Sequence, residues 1–155
     1  SGQPRTSPEG EVHPDVHSVT LHSSSQELVL APTGGGFYRS EDGGGRWERL
    51  YPTYCRAAWV DPADTAHMLL GPADSVDRNG RIEETRDAGL TWQVASPGLD
   101  VPWSRHMVNR FLDTGFELLA VLSNGELLAS PPATLAWNYL PTQDQWVLDI
   151  AVIDA

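Results

Sequence analysis

The stretch Ser40-Glu41-Asp42-Gly43-Gly44-Gly45-Arg46-Trp47 decides the fold, because its shape returns twice at a fixed distance. Forty-five residues on stands Thr85-Arg86-Asp87-Ala88-Gly89-Leu90-Thr91-Trp92, and after another 45 comes Ser130-Pro131-Pro132-Ala133-Thr134-Leu135-Ala136-Trp137. Upstream, Gly35, Gly80 and Gly125 keep the same step, as do Phe37, Ile82 and Leu127. A period of about 40–50 residues marks a repeat architecture in which each unit is a small sheet that must stack on its neighbours.

Outward from these boxes, short strand-like runs alternate with turn clusters, and no window holds a helical period. The expected strands are 17–22, 27–32, 36–40 and 47–51, then 56–60, 67–71, 81–85 and 92–95, then 107–112, 117–122, 126–129 and 137–140. Four antiparallel strands at this spacing predict an all-β fold of propeller blades, bounded at about 15–52, 53–97 and 98–142. Residues 1–14, rich in Pro, Gly, Ser and Glu, read as an extended N-terminal arm. The run Asp149-Ile150-Ala151-Val152-Ile153-Asp154 repeats the pattern of the first strands, so 146–154 is expected to open a fourth blade. Three blades are too few to close a ring, which takes about four to eight. The expectation is a partial propeller or half of a six-bladed ring. Its partner is then a second copy, as a homodimer, or the rest of a longer propeller.

Each box is expected to form the hairpin between the third and fourth strands. Asp42 and Asp87 are placed to accept hydrogen bonds from turn N–H groups, and Ser40 and Thr85 to brace the turn. Gly44 and Gly89 supply a positive φ, and Trp47 and Trp92 are expected to pack beneath their own turns. The third box keeps only its ends, Ser130 and Trp137; prolines replace the Asp and Thr134 replaces the Gly, so its turn must be built differently.

This Ser/Thr-x-Asp-x-Gly-x-x-Trp pattern resembles the Asp-box, or bacterial neuraminidase repeat, of sialidases, sortilin-type receptors and propellers similar to photosystem II assembly factors. Asp15-Val16-His17-Ser18-Val19 is similar to a first-strand motif of bacterial members of that group with no assigned role. The resemblance covers residues 15–154 and implies a β-propeller whose boxes are structural and sit at the blade edge, away from any ligand. It implies no single function, because the same box decorates enzymes and non-enzymes.

Composition removes several classes. The 155 residues carry a net charge of −11, whereas a nucleic-acid surface needs a basic stripe. All ten basic side chains are Arg; the planar guanidinium suits carboxylate or phosphate, although a GC-rich gene gives the same bias. Cys55 stands alone, which excludes a disulfide framework and a cysteine metal site and reads as a small packed residue. No apolar run approaches the roughly 20 residues of a membrane span. The sequence shows no secretory leader; its opening Ser1-Gly2, without Met, is what a trimmed chain would show, and it sets no compartment.

Three readings of function compete. A sialidase-like glycosidase would need an Arg cluster, a Tyr nucleophile with a Glu partner and an Asp acid/base. Arg56, Arg105, Arg110, Tyr54, Glu11 and Glu117 supply the residue types, but not the sequence context. A photosystem-type assembly factor would need a basic patch, and here the Arg residues are spread along an acidic chain. His13, His17 and His22 make no metal set, because Pro14 interrupts the strand they would share; no metal or cofactor is expected. The favoured reading is a non-enzymatic binding or scaffold module for a protein, peptide or glycan.

Propeller ligands usually meet the central channel or the loops feeding the innermost strands. The expected binding residues are therefore His17, Arg56, Trp103, Arg105, His106, Trp146 and Asp149. In the first-strand alignment His17, Arg56 and Asp149 are equivalent, with His106 or Met107 as the counterpart in the third blade. An aromatic beside an Arg at a ring mouth is a plausible hot spot. Trp59, within a strand, reads instead as packing between blades.

Overall fold

The computed structural model describes residues 10–22, 25–143 and 145–153; residues 1–9 of the expected arm, Asp144 and Asp154 lie outside the described residues. Three four-stranded antiparallel sheets follow one another along the chain, and the described residues contain no helix. Blade one holds β1 (Thr20–His22), β2 (Ser25–Thr33), β3 (Gly36–Ser40) and β4 (Glu48–Tyr51) in that spatial order. Blade two holds β5 (Cys55–Asp61), β6 (Asp64–Pro72), β7 (Glu83–Thr85) and β8 (Gln93–Val94). Blade three holds β9 (Val108–Asp113), β10 (Leu118–Leu122), β11 (Leu127–Ser130) and β12 (Asn138–Leu140). The inner strands lie side by side, with β5 touching both β1 and β9.

The ladder pairs Leu30↔Arg39, Leu69↔Glu84 and Leu119↔Ala129 keep the 45-residue step on their third strands. Leu30, Leu69 and Leu119 are thus the same position in successive blades. Apolar residues on both faces of the middle sheet divide the interior in two. Between blades one and two lie Leu30, Phe37, Ala58, Val60, Met68 and Leu70. Between blades two and three lie Trp59, Leu69, Ile82, Val108, Leu118 and Leu128. Blade one buries a sheet face on its neighbour, blade two buries two, and stacking replaces a central core.

The first two boxes make the expected turns. Asp42 Oδ1 accepts from Ser40 Oγ and from the Arg46 N–H, both at 2.8 Å, and Asp87 Oδ1 accepts from Thr85 Oγ1 at 2.7 Å and the Thr91 N–H at 2.9 Å. Gly44 and Gly89 adopt φ of +98° and +92°. In the third box Leu135 takes the positive φ, 50°, and its N–H donates to Pro131 O at 3.1 Å.

The tryptophans depart from expectation. Trp92 Nε1 donates to Leu50 O at 3.1 Å and Trp137 Nε1 to Ala95 O at 2.9 Å, each 42 residues back and one blade earlier. The Trp92 ring sits edge-on to Phe37 and Tyr51 of blade one, centroids 6.0 and 5.5 Å away. These indoles clasp neighbouring blades; they do not merely fill space beneath their own turns. Trp47 keeps its indole in its own turn, on Gly44 O at 3.0 Å.

Two segments flank the blades. At the amino end, Gly10 O accepts from the Trp47 N–H at 3.0 Å, and the His17 N–H donates to Pro32 O at 3.1 Å. At the carboxyl end, the first strand expected for a fourth blade is not formed: residues 145–153 pair with no strand. A lone segment has no second strand to satisfy its ladder groups. It is tethered instead by the Val147 N–H on Gly125 O at 3.0 Å, with the Trp146 ring so close over Gly125 that an added Cβ would come within 2.6 Å of it.

Candidate binding cleft

Where the three inner strands meet, an open cleft of about 700 Å³ is lined by residues of every blade, among them His17, Arg56, Asn109, Arg110, Phe111 and Asp149. The register explains why these side chains meet. Thr20 pairs with Leu30, Trp59 with Leu69 and Leu112 with Leu119. Three residues before each of Thr20, Trp59 and Leu112 stand His17, Arg56 and Asn109. The counterpart in blade three is therefore Asn109, and the expected His106 or Met107 lies upstream of the strand, in the loop that delivers it.

Arg56 organises the cleft. Its Nε donates to Tyr54 Oη at 3.1 Å, and its Nη1 to Asn109 Oδ1 at 2.9 Å and Asp77 Oδ1 at 3.2 Å. Its backbone carbonyl accepts from Ser18 Oγ at 3.2 Å. One side chain thus ties the inner strands of blades two and three, and its own carbonyl ties in blade one. Burial lowers the pKa of His17, opposed by Asp15 and aided by the Arg56 and His13 charges; its ring lies 5.0 Å from that of Tyr54. Arg110 closes the far wall by pairing with Asp149, the Asp149 carboxyl being lowered first by the Ile150 N–H and then by Arg110.

Four of the expected residues lie elsewhere. Trp103 is only 5% exposed, packed between blades two and three, with its N–H and carbonyl both bonded to Gly80. His106 stacks on the Trp103 ring, centroids 5.1 Å apart, with its pKa lowered by burial. Arg105 is exposed, and Trp146, 63% exposed, covers Gly125. These four line none of the cleft. Asn109 was missed by the sequence reading; the signal that finds it is the strand register, once the start of β9 is known. Trp59 is buried between blades as expected, its Nε1 donating to Asp113 Oδ2 at 3.0 Å.

A second polar cluster lies inside blade two. His67 is buried, with Nδ1 3.2 Å from Asp61 Oδ2 and Nε2 3.1 Å from Glu84 Oε2. Among the described residues no three His, Cys, Asp or Glu side chains are arranged to hold a metal ion.

Three antiparallel four-stranded sheets stacked through their faces, with inner strands side by side, define a segment of a β-propeller. No protein-family model matches the chain, and no curated protein does. Solved propeller structures do match. An ancestral GH74 enzyme superposes with a TM-score of 0.69 at 14% identity, over 87% of this chain and 20% of that one. The GH74 enzyme of Niastella koreensis gives 0.62 at 16% identity, over 78% and 20%. The extracellular domain of BT4673 from B. thetaiotaomicron gives 0.58 at 14% identity, over 86% and 17%. The chain spans about a fifth of the length of these structures, and at such identities the likeness is one of fold.

Proposed function

We propose that this segment is a non-enzymatic binding module whose ligand, a peptide, glycan or protein loop, enters the cleft between the inner strands. The observation that carries the reading is the way Arg56 joins the cleft walls through Tyr54, Asn109 and Asp77, which gives a rigid polar surface drawn from all three blades. Pre-formed sites of this volume with a few convergent polar groups are where proteins take ligands. The pattern of the boxes supports placing the chain with Asp-box propellers, whose boxes serve the scaffold; here Asp42 and Asp87 are engaged in their own turns.

Glycoside hydrolysis is the competing reading, favoured by the fold shared with GH74 enzymes. By the common two-carboxylate route it needs two carboxyl groups flanking the scissile bond, about 5–5.5 Å or 6.5–9.5 Å apart; the sialidase-like route replaces one of them with a Tyr nucleophile. Among the described lining residues Asp149 is the single carboxylate, and it is committed to Arg110, while Asp77 beside the cleft is committed to Arg56. The deciding experiment screens glycan and peptide arrays beside a panel of aryl glycosides, with Arg56→Ala and Asn109→Ala as variants. Binding without turnover, weakened about tenfold or more by either variant, supports the module. Turnover lost in those variants, or binding indifferent to them, overturns it.

A further inference from the structure

We propose that the seam between blades two and three carries a binding site of its own at the outer edge of the stack, separate from the central cleft, and that its ligand is a neutral sugar. The two seams of the molecule can be compared position by position. Arg39 pairs across the ladder with Leu30 and Glu48, and Glu84 pairs with Leu69 and Gln93. Glu84 and Gln93 therefore stand in blade two where Arg39 and Glu48 stand in blade one. In the first seam Arg39 Nη1 donates to Ala88 O, in the box of the next blade, at 3.0 Å. Gly89 of that box lies so close to blade one that an added Cβ would come 2.8 Å from Leu50 Cδ1.

The second seam lacks this fastening. A carboxylate only accepts, so Glu84 has no proton to give a carbonyl of the third box. Its Oε2 lies instead 3.1 Å from His67 Nε2, inside blade two. Ala133 and Thr134, the counterparts of Ala88 and Gly89 at the 45-residue step, are exposed. A groove of about 500 Å³ stays open between the blades, lined by Glu84, Arg86, Gln93, Val94, Pro97 and Thr134 among others. A second hollow of about 390 Å³ shares Glu84, Arg86 and Gln93 with it, which gives room for adjoining units of an oligosaccharide.

The polar groups here suit hydroxyls. Glu84 Oε2 holds Arg86 Nη2 at 3.2 Å, and its Oε1 accepts from Gln93 Nε2 at 3.0 Å. Arg86 Nε and Nη1 and Gln93 Oε1 have no partner among the described residues. A buried carboxylate thus fixes a donor edge and an acceptor beside the groove. Two vicinal hydroxyls, each able to donate and accept, match both. Val94, 61% exposed, and Pro97 offer an apolar wall to the C–H face of a sugar ring. Charge selects a neutral ligand: Arg86 is matched by Glu84, Asp87 borders the second hollow, and the chain carries −11. The edge does not suit an added peptide strand, because β8 is two residues long and the Ala95 carbonyl beyond it is taken by Trp137 Nε1.

Amide NMR on the isotope-labelled full chain tests this, with neutral tetrasaccharides of glucose, mannose and galactose as probes. Tetraglycine and a galacturonate tetramer serve as comparisons. Titrations run to about 10 mM, which reaches millimolar dissociation constants. At least one neutral sugar should shift the amides of Glu84, Arg86, Gln93 and Thr134. Arg86→Ala should weaken its binding about tenfold or more, as loss of a hydrogen bond to a charged group does. Gln93→Ala should weaken it too, and both variants should keep the wild-type circular dichroism, since both side chains are exposed. No shift with any neutral sugar overturns the proposal. So do shifts confined to Arg56 and Asn109, which would put the sugar in the central cleft, and a preference for tetraglycine or galacturonate. A dissociation constant that neither variant changes overturns it as well. Should one variant lose its dichroism, the other decides.

Discussion

Trp92 donates its indole N–H to the carbonyl oxygen of Leu50, at 3.1 Å and 42 residues earlier in the chain. The bond crosses from blade two to blade one, and its ring fills the space beside Phe37 and Tyr51. Trp92→Ala removes both the bond and the packing, and the expected loss is about 3–5 kcal/mol in urea unfolding. Trp92→Phe keeps much of the packing and should recover most of that loss, leaving a deficit of roughly 1 kcal/mol for the missing hydrogen bond. Equal losses for the two variants would contradict the clasp.

Asp87 makes stability depend on acid. The Thr91 hydroxyl, the Thr91 N–H and the Thr85 hydroxyl hold its carboxyl at about 2, below the ordinary 3.8. A depressed folded-state pKa means that the folded chain prefers the carboxylate. The stabilisation is complete above the unfolded value and is lost as pH falls from about 4 towards 2. The gap in unfolding free energy between wild type and Asp87→Asn should narrow over that window. A gap that stays constant from pH 5 to pH 2 counts against this turn chemistry.

Burial pushes the Cys55 thiol up to about 12. Its Sγ–H points to Gly36 O at 3.2 Å, inside the contact between blades one and two. The thiolate is the reactive form, so a native sample at pH 8 should resist alkylation and a urea-unfolded one should react fully. Rapid labelling of the folded chain would place Cys55 nearer solvent than the fold has it.

His67 bridges two carboxylates in the interior of blade two. Replacing it with Phe leaves Asp61 and Glu84 without their shared partner, although Glu84 keeps Arg86 at 3.2 Å and Gln93 at 3.0 Å. Removing one partner so that a buried polar group is left without its hydrogen bond costs about 1–3 kcal/mol. Thermal unfolding of His67→Phe should therefore show a large drop in midpoint; a value near wild type would show that the bridge carries little of the blade's stability.

The strands were legible because period-two patterning and turn residues act locally: β3 has the bounds read from the sequence, Gly36–Ser40. The roles of Asp42, Asp87, Gly44 and Gly89 were legible for the same reason. The tryptophans were legible in position and not in partner, since a 45-residue period says that units stack without saying which atom of which neighbour an indole reaches. In the cleft, His17, Arg56 and Asp149 could be found by aligning first strands. Asn109 could not, because the first-strand alignment left the choice between His106 and Met107 open, and the register that singles out Asn109 is set by long-range pairing with β10. Trp103 misled: beside Pro102 it looked like a loop aromatic at a mouth, but its backbone pairs with Gly80 and its ring goes inward. Long-range pairing of that kind leaves no local signature.

The two clasps point one way along the chain. Trp137 reaches back to Ala95 and Trp92 reaches back to Leu50, so each indole closes onto backbone already synthesised. On the ribosome, the seal of blade one arrives only when about a further blade's length has emerged, and blade two waits in turn for Trp137. Domains and their parts form from the amino end as synthesis proceeds, and this direction of fastening lets blades one and two each be clasped by the box of the blade that follows. The order of fastening thus runs amino end first, through the same indoles that hold the stack together.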